Sequence, residues 1–237
     1  MALPKLSEVP WYDVEVPSNR KQVKFRPFLV KEEKILLMAL ESEDPGQISN
    51  SVLNIIESCV KGDDLNHLSL TSTDVEYLFL KIRSKSVGEV IKLNLKCQKC
   101  ESENEVSVNI DDIKIESKSL PKEIQLTDSI GIEVKQPSFH QLSQNQEMMN
   151  ANTQTEQIFS LIKEVVTAVL TEEERISTKD VTKEEFQEFI DSMTQDQFSK
   201  IREYIESIPR MRHNVSFSCM DCSSSNELAL EGLQSFL

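Results

Sequence analysis

Four of the five cysteines fall in two pairs of identical spacing, Cys97-x-x-Cys100 and Cys219-x-x-Cys222. Two intervening residues let a chain turn so that both thiolates meet one ion, at about 2.3 Å for zinc. Two such pairs are the ligand set of a tetrahedral zinc site. The surroundings repeat as well. Each pair is followed by three residues and then an Asn-Glu dipeptide, Asn104-Glu105 and Asn226-Glu227. A redox Cys-x-x-Cys opens a helix in a βαβ setting, disulfides belong to oxidising compartments, and unliganded thiols are a third reading. The strand-like flanks of both pairs favour one structural Zn²⁺ per chain held by Cys97, Cys100, Cys219 and Cys222. Four sulfur ligands leave no position for water, so such a site is closed and non-catalytic. A glycine often follows the second cysteine of this turn, where φ is positive; here the residues are Glu101 and Ser223. Cys59 stands alone on an apolar helix face, as a small core residue would.

The elements that must position the cysteines are legible from periodicity. Val23 and Phe25 suggest a short strand. A first helix begins with Glu32 and Glu33 at its positive end and closes at Pro45-Gly46. A second runs near 47–61, and a third opens at a Thr73-x-x-Glu76 capping box. The period then changes from 3.6 to 2: residues 89–96 alternate, as do Val106, Val108 and Ile110. Ile124 to Val134 suggest a further hairpin turning near Asp128-Ser129. Residues 140–157 are polar, a loop or a frayed helix entry. A helix over 155–170 carries Ile158, Phe159, Ile162, Val165, Val166 and Val169. Capping boxes at Thr182-x-x-Glu185 and Thr194-x-x-Gln197 open two more helices, the last stopped by Pro209. Alternation returns at Val215 and Phe217, just before the second pair.

The long stretch between the pairs, residues 101–218, is no obstacle to a shared ion. Loop closure grows only logarithmically, adding on the order of 1–2 kcal/mol over a 20-residue ribbon loop. A structural zinc supplies an apparent ~10–16 kcal/mol in small peptides.

Composition narrows the function. With 38% hydrophobic and 28% charged residues the chain reads as globular. No apolar run reaches the roughly 18–20 residues of a membrane span, and "MALPKLSEVPWYDVEVPS" lacks the basic flank and apolar segment of a signal peptide. The expectation is a protein kept inside a cell. A net charge of −14, from 40 acidic and 26 basic residues, opposes nucleic-acid binding, which draws on cations set against phosphates. The basic candidates, Lys81 to Lys85 and Arg210 to His213, are short. His67, His140 and His213 fall in unrelated contexts, and there is no phosphate loop, nucleophile elbow or metalloprotease helix. A binding or assembly role is favoured.

The most apolar segments are Phe28 to Val30 and Ile35 to Leu40. Ile35 to Leu40 would cover the whole circumference of a helix, so this is either the central helix of the domain or partly covered by another protein. Phe28, Leu36 and Met38 are the candidate contacts there. The end of the chain adds Phe236 and Leu237, which need something to pack against.

Several long stretches together are specific: "VKFRPFLVKEEKILLMALES", "DVEYLFLKIRSKSVGE", the two cysteine turns and "LALEGLQSFL". With these the chain resembles, from Leu3 to Leu237, the baseplate hub assembly family of T4-like tailed bacteriophages. The resemblance implies a non-enzymatic tail protein that builds the central hub, as assembly chaperone or hub subunit, with phage baseplate hub and tail proteins as partners. It implies a place in the host cytoplasm during assembly or in the virion tail, and carries no catalytic residues. The alternative function is a zinc-ribbon factor of the nucleic-acid or transcription machinery, for which Lys92, Lys96 and Lys99 provide a small basic face.

The expected fold is α+β, with helical blocks flanking a small antiparallel zinc-ribbon-like element. In order along the chain, this gives an extended arm (1–27), a helical block (28–88), a β region with the first cysteine turn (89–137), a polar loop (138–157), a second helical block (158–209), and a closing β segment with the second turn (210–237). Zinc would tie the two blocks together.

Overall fold

The computed structural model describes residues 9–113, 115, 119–145, 148, 153–232 and 235. Helices alternate with small sheets, and all strand pairs within them are antiparallel. The α+β class stands. Two compact units divide the chain: Met1–Ser117 joined with Arg210–Leu237, and Lys118–Pro209.

In the first unit, β1 (Tyr12–Glu15) pairs with β2 (Gln22–Phe25), whose other edge takes β3 (Val60–Lys61). Val23 and Phe25 point inward at strand spacing. Three helices follow: α1 (Val30–Glu41), α2 (Pro45–Cys59) and α3 (Ser72–Ser86). Helix α2 contacts both its neighbours and buries Val52, Ile55, Ile56 and Cys59, while α3 buries Val75, Leu78, Phe79 and Ile82. Burial pushes the Cys59 thiol up to about 11, the behaviour of an inert core residue. Two antiparallel hairpins complete the unit, β4 (Val90–Lys96) with β5 (Glu103–Asn109) and β10 (Arg212–Ser218) with β11 (Ser225–Glu231).

The second unit holds a sheet of order β6-β7-β8-β9. Its strands are β6 (Glu123–Gln125), β7 (Gly131–Val134), β8 (Val166–Leu170) and β9 (Arg175–Ser177). Its helices are α4 (Phe139–Gln144), α5 (Gln154–Val165), α6 (Lys183–Asp191) and α7 (Gln195–Ser207). Ile132, Val134, Ile162, Val166, Phe186, Ile201 and Ile205 share one core. Both expected capping boxes form, with the Thr182 and Thr194 hydroxyls accepting the N–H groups of Glu185 and Gln197.

Three local expectations change. Pro45 begins α2 as well as ending the preceding segment: Asp44 caps the helix by accepting from the Gly46 N–H at 2.8 Å, and proline at the first helical position loses no hydrogen bond. The box that opens α3 is Thr71 with Asp74, not Thr73 with Glu76. The Thr71 N–H and hydroxyl both donate to the Asp74 carboxylate, at 3.0 and 2.8 Å, and the Asp74 N–H returns to the hydroxyl. The helix expected over 155–170 stops at Val165. Val166–Leu170 becomes a strand because its β-branched run fits a pleated surface and β7 and β9 supply partners on both edges. Of the polar stretch 140–157, residues 146, 147 and 149–152 lie outside the described residues.

A buried charge pair fastens the entry to α1. The Glu32 carboxylate accepts from the Leu29 N–H at 2.7 Å and from Arg26 Nη2 at 2.9 Å. Burial opposes ionisation, yet the hydrogen bonds from Arg26, Leu29 and Lys31 together hold this carboxyl below its ordinary value. A lowered folded-state pKa contributes stability above the unfolded carboxylate value and loses it as pH falls through the folded one. Glu32→Gln is therefore expected to cost about 1–3 kcal/mol at neutral pH and to flatten the acid limb of stability against pH, both measurable by urea denaturation. An acid limb as steep as the wild type's would contradict this role.

Candidate metal centre

Each cysteine turn closes its own hairpin. Lys96 faces Glu103 as the last pair of β4 and β5, and Ser218 faces Ser225 in β10 and β11. Within the turns, the Cys97 N–H donates to the Ser102 carbonyl and the Cys219 N–H to the Ser224 carbonyl, each at 2.9 Å. The Glu101 N–H returns to the Cys97 carbonyl and the Ser223 N–H to that of Cys219. Glu101 and Ser223 have φ of 59° and 57°. The left-handed conformation that glycine would favour is thus adopted without glycine, and the turn geometry is kept at some local cost.

The two turns meet. Cys97, Cys100, Cys219 and Cys222 bring their four sulfurs within 4.8 Å of one another. The Sγ atoms of Cys97 and Cys222 are 3.7 Å apart, and those of Cys100 and Cys219 are 3.6 Å apart. Ligands at about 2.3 Å from a tetrahedral zinc define edges of about 3.8 Å. A disulfide would require about 2.05 Å. The donor set and its spacing fit a tetrathiolate ion site. Both hairpins belong to the first unit, so the cluster joins strands of that unit, not the two helical blocks.

Hydrogen-bond donors converge on the sulfurs. The Lys99 N–H approaches Cys97 Sγ at 3.4 Å, and the Ser102 hydroxyl lies 3.1 Å from both Cys100 and Cys219 Sγ. The Cys219 thiol is drawn down to about 5, first by that hydroxyl and then by the Cys222 N–H. Cys97 is lowered as well, by the N–H groups of Cys100 and Lys99. Cys100 is pushed up to about 11: Ser102 pulls it down through hydroxyl and N–H, but the crowding Cys222 and Cys219 sulfurs and burial prevail. Thiols this close cannot all hold negative charge unless a cation lies between them.

Two residues beside the cysteines had a sequence signal that pointed only to a repeat. Asn104 and Asn226 are 3% and 2% exposed. The Asn104 amide oxygen accepts from the Met220 N–H and the Asn226 oxygen from the Gln98 N–H, both at 2.8 Å. Each asparagine thus grips the opposite turn.

The candidate contact residues have separate fates. Leu36 is buried, with Ala39, on the inner side of α1. Phe28 is half-buried. Met38 is 59% exposed, alongside Val30 at 79%, Leu37 and Ile35, so α1 is not the central core helix. The Phe28 N–H donates to Ser86 Oγ at 3.0 Å, which sets the entry to α1 beside the end of α3, where Val87 is exposed too. Phe236 and Leu237 lie outside the described residues. No helix among the described residues is long and apolar enough to cross a membrane.

Residues 9–237 match the family described as T4 bacteriophage base plate protein. The match covers nearly the whole chain, which therefore belongs to that family. No curated protein and no solved structure matches it.

Proposed function

We propose that this phage base plate protein is a non-enzymatic builder of the central hub, working as an assembly chaperone or a hub subunit through protein–protein contacts with other base plate and tail proteins. The reading is carried by α1. Large apolar side chains occupy its solvent side, with Val30, Ile35, Leu37 and Met38 each about half exposed or more. Single exposed apolar residues are ordinary, whereas a run of them along one helix marks a surface built for a partner. Action in the host cytoplasm, while tails are being assembled, follows from this role. The four cysteines would hold one structural zinc, which closes the tip of the paired hairpins and takes no part in chemistry.

Of the cations on which the nucleic-acid alternative draws, four sit against carboxylates. Lys92 Nζ is 2.9 Å from Glu105, Lys81 is 2.7 Å from Asp111, Lys85 is 2.8 Å from Glu89, and Arg212 is 3.4 Å from Glu231. Cations already neutralised by carboxylates release few counterions from a phosphate backbone.

Co-expression with the tail proteins of its phage, followed by affinity recovery, tests the proposal. Recovery of a base plate component at stoichiometric level is expected. Recovery of none, with salt-sensitive retention of DNA instead, would replace this reading by the alternative.

A further inference from the structure

The contacts that bring the two hairpins together do not all pass through sulfur. Asn104 belongs to β5 and its oxygen accepts the N–H of Met220, the residue after Cys219. Asn226 belongs to β11 and accepts the N–H of Gln98, the residue after Cys97. The other end of each amide is also held: Asn104 Nδ2 donates to the Ser102 carbonyl and Asn226 Nδ2 to the Ser224 carbonyl, both at 2.9 Å. A side chain fixed at oxygen and nitrogen alike has one orientation available, and the Gln98 and Met220 N–H groups are each one peptide from a ligand cysteine. Ile91 and Val108 of one hairpin share a core with Val215 and Leu230 of the other. Buried hydrogen bonds are strong because water does not compete for them.

We infer that Asn104 and Asn226 hold the hairpins docked and the cysteine turns aimed before a metal arrives, so that zinc fills a preformed centre in a folded protein. This rests on the zinc reading above and adds to it an order of events. Small zinc domains fold only when the ion binds; here the reciprocal amides and the shared apolar core do the docking, and the ion closes the tip. The asparagines act crosswise as positioning residues. Asn104 sets the turn of Cys219 and Cys222, and Asn226 sets that of Cys97 and Cys100.

The test uses full-length, reduced protein stripped of metal, with amide exchange read by NMR and Co²⁺ as a coloured probe of the tetrathiolate. In the metal-free wild type the Gln98 and Met220 amides are expected to be protected, and Co²⁺ to bind without a change in secondary structure. Asn104→Leu is expected to speed exchange at Met220 at least ~10-fold while Gln98 stays protected, and to weaken Co²⁺ binding by about 10–100-fold, the usual effect of losing an outer-shell partner. Asn226→Leu mirrors it at Gln98. If both wild-type amides exchange freely until metal is added, or if Asn104→Leu exposes both amides alike, the inference is wrong even where Co²⁺ still binds tightly. Failure of the wild type to bind Co²⁺ overturns the zinc reading itself, and the preformed centre with it. The wild-type exchange experiment needs no variant, so misfolding of a leucine mutant cannot rescue the idea.

Discussion

With the proposed zinc bound at the four cysteines, stripping metal from the purified protein, or replacing Cys219 with serine, is expected to lower the melting midpoint of the first unit by about 8–16 °C. The figure follows from linkage. A ligand present at a thousand times its dissociation constant stabilises the state that binds it by about 4.1 kcal/mol, and each kcal/mol shifts a protein of this size by about 2–4 °C. Zinc-thiolate affinities easily reach that regime at ordinary metal concentrations. Lys118–Pro209 has a core of its own, around Ile132, Ile162 and Ile201. Calorimetry with and without a chelator is therefore expected to show the metal-sensitive transition moving while a second one stays in place. Elemental analysis should find one zinc per chain in the wild type and a substoichiometric amount in Cys219→Ser. An unmoved midpoint after complete metal removal would show that the sulfur cluster is incidental.

The second large effect is on assembly and leaves the fold alone. Val30 and Met38 are well exposed on α1, whereas Leu36 supports the helix from beneath. Aspartate at positions 30 and 38 removes apolar contact area and places charge in any interface formed there. Interface anchors are worth about 2 kcal/mol or more each, so the double variant Val30→Asp/Met38→Asp is expected to weaken partner binding about 1,000-fold, at 1.4 kcal/mol per decade. Its own stability should change by no more than about 0.5 kcal/mol per site, as for other surface substitutions. Complementation of a phage lacking the gene supplies the readout: a wild-type melting curve with a collapse in plaque yield. Full plaque yield from this variant would move the partner surface off α1.

How much of this could be read before the structure depends on how local the physics was. The cysteine pairs were legible because a two-residue spacing states its geometry within six residues, whereas Glu101 and Ser223 departed from the glycine this turn favours and still adopt its left-handed φ. Capping boxes at Thr182 and Thr194 were legible for the same reason. Thr71 was not, because Thr73-x-x-Glu76 satisfies the same pattern two residues later; Asp74 is held by the Thr71 N–H and hydroxyl and by the Ser18 N–H, which donates to its Oδ1 at 2.8 Å from 56 positions away. Val165 and Val166 fit a helix stripe and a strand equally well, and β7, the partner on one edge of β8, is distant in sequence. The exposure of α1 could not be read from "ILLMAL", since hydrophobicity says that a side chain seeks cover and not where cover is found. Asn104 and Asn226 were visible as an echo of each other, but their crossed grip exists only once both hairpins are side by side.

The insertion of residues 118–209 between the two halves of the first unit also imposes a timetable. Cys100 leaves the ribosome 119 positions ahead of Cys219, which at about 5–20 residues per second is a wait of roughly 6–24 s. Throughout that interval β4 and β5 display an apolar face and two thiols whose counterparts are still untranslated. The chain's own final segment supplies them. Completion of the sulfur cluster therefore requires that translation has passed Cys222, and a product broken off earlier lacks the hairpin that shares the apolar core of β4 and β5.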